Sequence, residues 1–325
     1  MTNRKLKILS MIREGIPLGE IEKELQLTVS ELSTELKEIR SLGYNFNSSY
    51  YSDGSIILRT NRTLNFNPNN SPMRINVKGK VFKSLFISDE HIGSIHDNPN
   101  YIKVVYNYAK EHDIHVIFNC GDEIDNIYPE SNQVLRCNTV QGQITRFCRV
   151  FPHDPNIIIV NLYGNHDFKS IIDEGYDVSR VINDRRYDML SLGYGYGVVL
   201  LKDDAIAIMH DLNKGNVQQR QVSITYKGHS HKSKNSDKEE RVFYVPSLSD
   251  VNMNTYEYSP LVCFLEAEYQ FYDKKIERVN QRQLAIINNE IRLANEEALI
   301  LQRRNREYDN KEVLSLKKKP PTKID

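Results

Sequence analysis

The sequence predicts an α/β fold in which strands and helices alternate through the middle of the chain, with a small helical unit before them and a long helix after them. Three observations predict it. Short apolar runs alternate with helical stretches over residues 79–268, amphipathic helical repeats fill residues 1–60, and residues 269–325 carry apolar side chains at heptad spacing. The remaining residues, 61–78, separate the first two segments.

Residues 1–60 predict three short helices followed by a β-hairpin. The third helix has the clearest start, because Thr28 and Glu31 have the spacing of a capping box, in which each side chain satisfies a free amide. Gly43 ends that helix, and Asp53-Gly54 is a typical hairpin turn. The apolar stripes of the helices consist of Ile8, Leu9, Ile12, Ile16, Ile21, Leu25, Leu32, Leu36 and Ile39. This order of elements resembles a winged helix-turn-helix domain.

The charge of this N-terminal unit does not decide which kind of partner the unit binds. Residues 1–60 contain eight basic and eight acidic side chains, and the third helix sets three glutamates against Lys37 and Arg40. Phosphate binding requires a surplus of positive charge on the contact face. Binding of DNA therefore stands beside protein docking or dimerisation as an interpretation of this unit.

The composition and apolar pattern of the chain change after residue 60. Residues 61–78 are rich in Asn and Pro and lack apolar periodicity, which predicts a linker. The first strand beyond it is predicted at Val81 to Ile87. Further strands are predicted at 115–118, 157–160, 197–202, 204–209, 222–227, 241–246 and 260–267, with helices near 101–111 and 140–150. Such alternation is typical of a layered sheet covered by helices.

The C-terminal segment, residues 269–325, predicts a long helix and a basic tail. Its apolar residues are spaced alternately by three and four, as in a heptad seam. The seam consists of Leu284, Ile287, Ile291, Ala294, Ala298 and Leu301. It is short for a coiled coil, so pairing with a partner helix or a second copy and packing onto the body are equal alternatives. The final KKKPPTKID is expected to be disordered.

Composition narrows the class of protein. Lys plus Arg and Asp plus Glu each total 43, so no global charge favours nucleic acid or a membrane. No apolar run of about 18 residues occurs, and the N-terminus lacks the apolar core of a signal peptide. The four cysteines form no CxxC pair, which indicates reduced thiols. A cytoplasmic protein with no membrane association is expected.

Five polar clusters each follow a predicted strand. They contain five of the nine histidines. Taken singly, each cluster is explained by a turn or a solvated edge, but the carboxyl ends of strands in an α/β sheet converge on one crevice. Together the clusters predict a two-metal centre at that crevice. They are Ser88-Asp89-Glu90-His91, Gly121-Asp122-Glu123-Ile124-Asp125, Gly164-Asn165-His166-Asp167, His210-Asp211 and Gly228-His229-Ser230-His231.

The residue types in these clusters indicate the kind of metal. Imidazole nitrogens combined with carboxylate oxygens suit manganese, iron, zinc or nickel, whereas magnesium and calcium favour oxygen ligands alone. Asp89 and His91 are two residues apart, and we expect both side chains on the same face of an extended strand end. His229 and His231 share that spacing, and Asp122 is the natural bridging carboxylate. Two divalent ions are expected, with manganese as the first choice.

The set D-x-H, G-D-x-x-D, G-N-H-D, H and G-H-x-H resembles the motifs of the calcineurin-like metallophosphoesterases over about residues 80–268. The resemblance implies a double-sheet α/β sandwich with a dinuclear metal centre. It assigns the first metal to Asp89, His91 and His231, the second to Asn165, His210 and His229, and the bridge to Asp122. It makes His166 the catalytic residue. Asp167 would fix the tautomer of His166, and Asp125 would support the metal ligands from beside them.

Metal chemistry then predicts the reaction. Two cations roughly 3.5–4 Å apart lower the pKa of a shared water, so that a bridging hydroxide attacks the phosphoester in line. His166 would protonate the leaving oxygen or stabilise the transition state. The sequence departs from the GDxxDRG and GNHE motifs of protein phosphatases and from the tyrosine ligand of purple acid phosphatases. SDEHIGS with GDEID is closer to the nuclease branch.

The first hypothesis is therefore a phosphodiesterase or nuclease acting on DNA, guided by the N-terminal unit. The second is a phosphatase or phosphodiesterase for small phosphoesters, in which the N-terminal unit serves assembly. A non-catalytic regulator built on this fold is the third.

Overall fold

The structure is a computed structural model that describes residues 2–61, 72–210, 222–231, 241–250 and 261–301. Its helices are α1 (Asn3–Arg13), α2 (Leu18–Leu25), α3 (Val29–Ser41), α4 (Pro99–Glu111), α5 (Val140–Val150), α6 (Asn165–Glu174) and α7 (Val178–Asn183). Its strands are β1 (Asn45–Tyr51), β2 (Ile56–Asn61), β3 (Met73–Asn76), β4 (Val81–Ile87), β5 (Val116–Asn119), β6 (Ile158–Tyr163), β7 (Met189–Tyr194), β8 (Tyr196–Leu201), β9 (Asp204–Met209), β10 (Ile224–Lys227), β11 (Val242–Tyr244), β12 (Val262–Tyr272), β13 (Lys275–Ile287) and β14 (Glu290–Ile300).

Two seven-stranded sheets organise these elements. The first has the order β14-β13-β12-β4-β5-β6-β7, with β4 to β7 parallel and β12 antiparallel to β4. The second has the order β11-β10-β9-β8-β3-β1-β2, and its strands β9, β10 and β11 are parallel. The predicted α/β class and the two sheets are confirmed.

The two sheets pack face to face through aromatic side chains. The Phe86 ring on β4 stacks on Tyr226 of β10, with ring centroids 3.6 Å apart, and on Phe118 of β5 at 4.9 Å. The Tyr269 hydroxyl on β12 donates to the Tyr226 hydroxyl at 2.9 Å, so the buried polar atoms of both rings have a partner. A second apolar cluster covers the other face of the first sheet, where Phe147 of α5 is fully buried.

The N-terminal unit forms its three helices and hairpin where the sequence predicts them. The capping box of α3 is present, because the Glu31 carboxylate accepts from the Thr28 N–H at 2.8 Å and Thr28 Oγ1 accepts from the Glu31 N–H at 3.2 Å. The apolar residues of α1 to α3 belong to the same core cluster as Phe86 and Phe118. The N-terminal helices therefore share a core with the sandwich.

The linker prediction for 61–78 is wrong at its C-terminal end. Met73–Asn76 forms β3, which pairs in parallel with both β1 and β8 and joins the hairpin to the second sheet. The sequence Met-Arg-Ile-Asn does alternate apolar and polar residues, but four residues of which only Ile75 is buried are too short a run to predict a strand. Residues 62–71 of the predicted linker lie outside the described part.

A buried ionic network also joins the N-terminal unit to the sandwich. His153 Nε2 lies 2.8 Å from the Glu22 carboxylate of α2, and its Nδ1 lies 3.0 Å from Asp188. Asp188 also accepts two hydrogen bonds from the Arg186 guanidinium, at 2.8 and 2.7 Å. Tyr187 donates its hydroxyl to Glu22. Every charge in this network faces an opposite charge.

The predicted C-terminal helix is wrong, because residues 275–300 form the antiparallel hairpin β13–β14. Asn288 and Asn289 both have positive φ, 52° and 63°, as the two-residue turn of such a hairpin requires. A register shift between Gln283 and Leu284 breaks the alternation of β13, and the remaining spacing imitates a heptad. The predicted basic tail, 302–325, lies outside the described residues.

Besides β3 and the hairpin β13–β14, three described elements have no counterpart in the sequence prediction, namely α6, α7 and β7. The most consequential is α6, which begins at Asn165 directly after β6 and so converts a predicted turn into a helix start. Among the described helices, none combines the length and apolar character that crossing a membrane would need.

Candidate metal centre

The five polar clusters converge as the sequence predicts. The loops that follow β4, β5, β6, β9 and β10 meet at one end of the sandwich, and three groups of side chains there place their ligand atoms within 4.8 Å of one another. The groups are Asp89, His91 and His231; His91, Asp125 and His166; and Asp122, His210 and His229. Asp211, which follows His210 in the sequence, lies outside the described residues.

The first group surrounds one oxygen of Asp89. Asp89 Oδ1 lies 3.0 Å from His231 Nε2 and 3.9 Å from His91 Nε2, and those two nitrogens are 3.3 Å apart. The other oxygen, Oδ2, accepts hydrogen bonds from Ser88 Oγ at 2.5 Å and from the His229 N–H at 3.1 Å. The carboxylate is thus fixed by one oxygen and presents the other to the two imidazoles.

The second group is built around His210. Its Nδ1 lies 2.7 Å from the Cys120 carbonyl oxygen, and its Nε2 lies 3.0 Å from Asp122 Oδ2. A carbonyl oxygen accepts only, so Nδ1 carries a proton in either charge state of the ring, and Nε2 is the nitrogen left to bind a metal. The ring of His229 lies 5.1 Å from that of His210. This arrangement satisfies the requirement that a metal-binding histidine be oriented by its second nitrogen.

His166 occupies the rim of the centre. Its Nδ1 lies 2.7 Å from the Asp125 carbonyl oxygen, and its Nε2 lies 4.0 Å from Asp122 Oδ2. His91 Nδ1 lies 3.1 Å from Asp125 Oδ1, so Asp125 contacts both imidazoles. Because Nδ1 of His166 donates to the carbonyl, Nε2 is the nitrogen available to a substrate oxygen.

The donor atoms fit a metal. Within the described residues, four buried atoms of predicted metal ligands make no well-aligned hydrogen bond: Asp89 Oδ1, His91 Nδ1, Asn165 Oδ1 and His210 Nε2. All but the Asn165 oxygen lie 3.0–3.1 Å from an ionisable group of opposite sign. A buried polar atom without a partner costs about 1–3 kcal/mol, and a bound cation removes that cost. The mixture of imidazole nitrogen with carboxylate and amide oxygen matches a first-row transition metal.

The pKa values at the centre are shifted because buried carboxylates and imidazoles pack against one another. Burial acts to lower the pKa of His210, but Asp122 and Asp89 outweigh it and raise the pKa to about 10. Burial acts to raise the pKa of Asp89, but His231 and His210 hold it at about 2. His166 differs, because burial and the neighbouring His91 lower its pKa.

The backbone of the site is strained. Five of the seven predicted metal ligands have φ in the left-handed region, which residues other than glycine seldom adopt. Each such residue costs on the order of 1–3 kcal/mol, and strain of this kind concentrates at functional sites. The values are 58° for Asp89, 46° for His91, 60° for Asp122, 68° for His229 and 54° for His231.

Two glycines are required by close approach to the site. A Cβ on Gly164 would lie 2.2 Å from Asp122 Oδ1, and a Cβ on Gly228 would lie 2.2 Å from Ser88 Oγ. Both distances are far inside van der Waals contact, and the blocking atoms belong to the side chains that hold the site. Any side chain at Gly164 or Gly228 would therefore displace them.

The predicted partner of Asp167 is wrong. Its carboxylate accepts four backbone N–H groups, from Gly164 at 2.8 Å, Asp122 at 3.1 Å, Glu123 at 3.3 Å and Ile124 at 3.1 Å. Asp167 contacts these amides, whereas Nδ1 of His166 donates a hydrogen bond to the Asp125 carbonyl oxygen. Asp167 therefore fixes the loop that carries Asp122.

The geometry expected of Asp89 and His91 needs a correction of the same kind. Their side chains do meet, but both residues have positive φ, so the backbone between them is not an extended strand end. The intervening Glu90 is buried and accepts from Asn119 Nδ2 at 3.0 Å, and burial raises its pKa to about 8. Two left-handed residues, one on each side of Glu90, bring the ligands together in place of strand alternation.

Several contributing residues escape sequence reasoning. Ser88 orients Asp89, and Asn126 donates its amide to the His166 carbonyl oxygen at 2.6 Å. The Tyr128 ring lies 4.9 Å from the His166 ring, and Lys169 Nζ lies 5.0 Å from the centre of the Tyr128 ring. Ser88 is the one with a signal, since it directly precedes a predicted ligand at a strand end.

Comparisons with known proteins give only distant likenesses. No model of a protein family matches the sequence, and no curated protein matches it. The phosphoesterase Yfce from E. coli is similar over 68% of this chain and 100% of its own, with 15% identity and a TM-score of 0.41. Vps29 from Chaetomium thermophilum is similar over 68% and 100%, with 11% identity and a TM-score of 0.39.

A third similar structure is the calcineurin-like phosphoesterase YfkN from Bacillus subtilis, over 69% of this chain and 91% of its own, with 8% identity and a TM-score of 0.33. Likenesses at these scores carry no argument by themselves. What the centre can do follows from its own donor atoms and backbone.

Proposed function

We propose that this protein is a metal-dependent phosphoester hydrolase of the calcineurin-like metallophosphoesterase type. The observation that carries the proposal is the convergence of three clusters of imidazole and carboxylate side chains at one end of the sandwich. Several of their buried ligand atoms lack a well-aligned hydrogen bond, and their backbone is strained. Two divalent ions, with manganese as first choice, would supply a water-derived nucleophile near neutral pH and offset phosphate charge.

The proposed site consists of seven metal ligands and one residue that would contact the reacting phosphoester. Asp89, His91 and His231 would hold one ion and Asn165, His210 and His229 the other, with Asp122 between them. His166 lies beside this set with Nε2 free to meet the leaving oxygen of the ester. Asp125 orients His91 and His166, and Asp167 holds the loop of Asp122.

The first substrate class is the phosphodiester of a nucleic acid, DNA in particular. The motif resemblance to the nuclease branch favours it. An aromatic ring beside the catalytic histidine also favours it, because Tyr128 can stack on a base.

The second substrate class is a small phosphoester, and the position of α3 favours it. Lys37 Nζ lies 2.6 Å from Asp184 of the sandwich, so this cation is neutralised. Glu35 of the same helix contacts Arg4 and Lys5 of α1. A helix that reads DNA must offer cations to phosphates, and these side chains of α3 are committed to protein partners.

Turnover of four substrates by the full chain distinguishes these classes. The substrates are 4-nitrophenyl phosphate, bis(4-nitrophenyl) phosphate, and single- and double-stranded DNA, each with manganese and with His166→Ala as the blank. DNA cleavage faster than cleavage of the small diester supports the nuclease. Brisk hydrolysis of a small ester without DNA cleavage rejects it in favour of the second class. A metal-loaded protein that hydrolyses none of the four refutes the proposed function.

A further inference from the structure

A cavity of about 290 Å³ lies between the N-terminal helices and the sandwich, apart from the metal centre. Its walls come from α2, α3, the β1–β2 hairpin, α7 and β7, and it shares no residue with the three metal-binding groups. Small-ligand pockets in proteins start at about this volume. The lining residues fall into an apolar wall and a polar rim.

The apolar wall could hold the body of a small molecule. It is formed by Leu18, Leu36, Ile56, Leu58, Met189 and Leu190. Four of these come from the N-terminal unit and two from β7, so a molecule inside would contact both parts. Side chains this apolar favour an aromatic or aliphatic body over a fully hydrated ion.

The polar rim contains one cation without a carboxylate. Within the described residues, no carboxylate oxygen approaches the Arg40 guanidinium within ion-pair distance, because Lys37 takes Asp184. The Arg40 guanidinium lies over the face of the Phe46 ring, 5.8 Å from its centre, and the side chain remains exposed to solvent. Partial burial lowers the pKa of Arg40, although Tyr50 and Asp184 act to raise it. The other arginine of the lining, Arg186, is neutralised by Asp188.

A second unpaired group faces the same cavity. In the described part of the chain, the buried Oδ1 of Asn183 at the end of α7 has no hydrogen-bond partner. An amide oxygen accepts hydrogen bonds, so a ligand that pairs with it must supply a hydroxyl or N–H donor. Together the cavity offers a cationic anchor for an anion, an acceptor for a donor, and an apolar wall between them.

We propose that this cavity binds a small organic anion, with an aromatic or aliphatic body, one carboxylate or phosphate-like head bound by Arg40, and a donor group that reaches Asn183. Guanidinium binds such heads through two parallel hydrogen bonds, which adds geometric specificity. The site goes beyond the proposed function and does not depend on it, since it shares no residue with the metal centre.

Calorimetric titration of the metal-loaded full chain tests the proposal with three probes of similar shape. They are 4-hydroxybenzoate, 4-hydroxyphenylphosphonate, whose C–P bond is not an ester, and neutral 4-hydroxybenzyl alcohol. At least one anion should bind, and the alcohol should bind about tenfold or more weakly, because it lacks the charge that meets Arg40. The anion that binds better identifies the head group.

Variants locate the binding. Arg40→Met should weaken binding of the anion by about tenfold or more, whereas the matched Arg13→Met, at an exposed arginine of α1 outside the cavity, should leave binding within about twofold. Ser48→Trp closes the mouth from an exposed strand position and should abolish binding without unfolding the protein. Binding that survives Arg40→Met and Ser48→Trp but is lost in His210→Ala places the anion at the metals and overturns the proposal. Absence of binding by both anions also overturns it.

Discussion

At the scale of single residues, the site depends on which atom each side chain leaves free. His210 and His166 both give Nδ1 to a backbone carbonyl and keep Nε2 for chemistry. His210 is fully buried among carboxylates, whereas His166 lies at the rim near Tyr128. The same imidazole group is therefore placed to hold a metal in one position and to meet a substrate in the other.

Replacing His166 by Ala separates these two roles. We expect turnover to fall by about 10²–10⁴-fold, because proton transfer to the leaving group is lost, while metal content stays near that of the wild type. His210→Ala should instead lower the metal content along with activity. Metal analysis by mass spectrometry beside turnover measures both. Loss of metal from His166→Ala would show that its assigned role is wrong.

Asp167 provides a prediction about stability. Asp167→Ala leaves four buried N–H groups without their acceptor, so we expect the unfolding free energy of the metal-free protein to fall by about 3 kcal/mol or more. Asp173→Ala, an exposed position on the same helix, is the matched control and should change it by less than about 0.5 kcal/mol. Urea unfolding measures both, and equal effects would refute the role of Asp167.

The sequence identifies the residues of the centre better than it identifies their contacts. The His and Asp ligands stand in recognisable motifs, so all five clusters could be found. The partners of Asp167 and the path between Asp89 and His91 could not be found, because they depend on left-handed backbone that no spacing rule encodes.

At the scale of elements, the C-terminal hairpin shows where sequence periodicity fails. Apolar spacings of three and four fit a helix, but the bulge at Gln283 and Leu284 produces the same spacings in a strand. The pair Asn288-Asn289 is the sequence signal that favours a turn, since Asn tolerates positive φ. In contrast, β4 and β9 are short, mostly apolar segments without a bulge, and their predicted limits are confirmed.

Asn289→Gly tests the hairpin. In a two-residue turn with φ of 63°, glycine relieves strain, and we expect a gain of about 0.5–1 kcal/mol in unfolding free energy. In a helix the same change would cost about 1 kcal/mol. Asn289→Val should destabilise the hairpin, because a β-branched residue resists positive φ. Thermal or urea unfolding gives the sign, and destabilisation by glycine would contradict the hairpin.

At the scale of the whole molecule, the N-terminal unit is joined to the sandwich by a shared core, a continuous sheet and the network around His153. Burial acts to lower the pKa of His153, but Asp188 and Glu22 raise it to about 9. In the unfolded chain it returns to about 6.5. The folded protein therefore binds this proton more tightly than the unfolded chain does.

The network makes stability depend on pH in a defined window. The contribution of His153 is complete below about pH 6.5 and is lost as the pH rises through 9, and we expect a loss of about 2 kcal/mol over that range. His153→Gln should remove most of this pH dependence, whereas His115→Gln, near the surface, should retain it. Urea unfolding at pH 6.5 and 9.5 measures both. A wild-type stability that is flat between these pH values would contradict the assignment.

The pairing of β3 with β8 sets an order for assembly during synthesis. Met73 pairs with Val199, and 199 minus 73 is 126 residues of chain. At ribosomal rates that interval lasts on the order of ten seconds. Throughout it, β3 lacks its partner β8, and the N-terminal helices lack the apolar surface that they finally cover. The N-terminal unit is thus made well before the surface that it finally covers, and a chain in that interval exposes apolar side chains that favour aggregation.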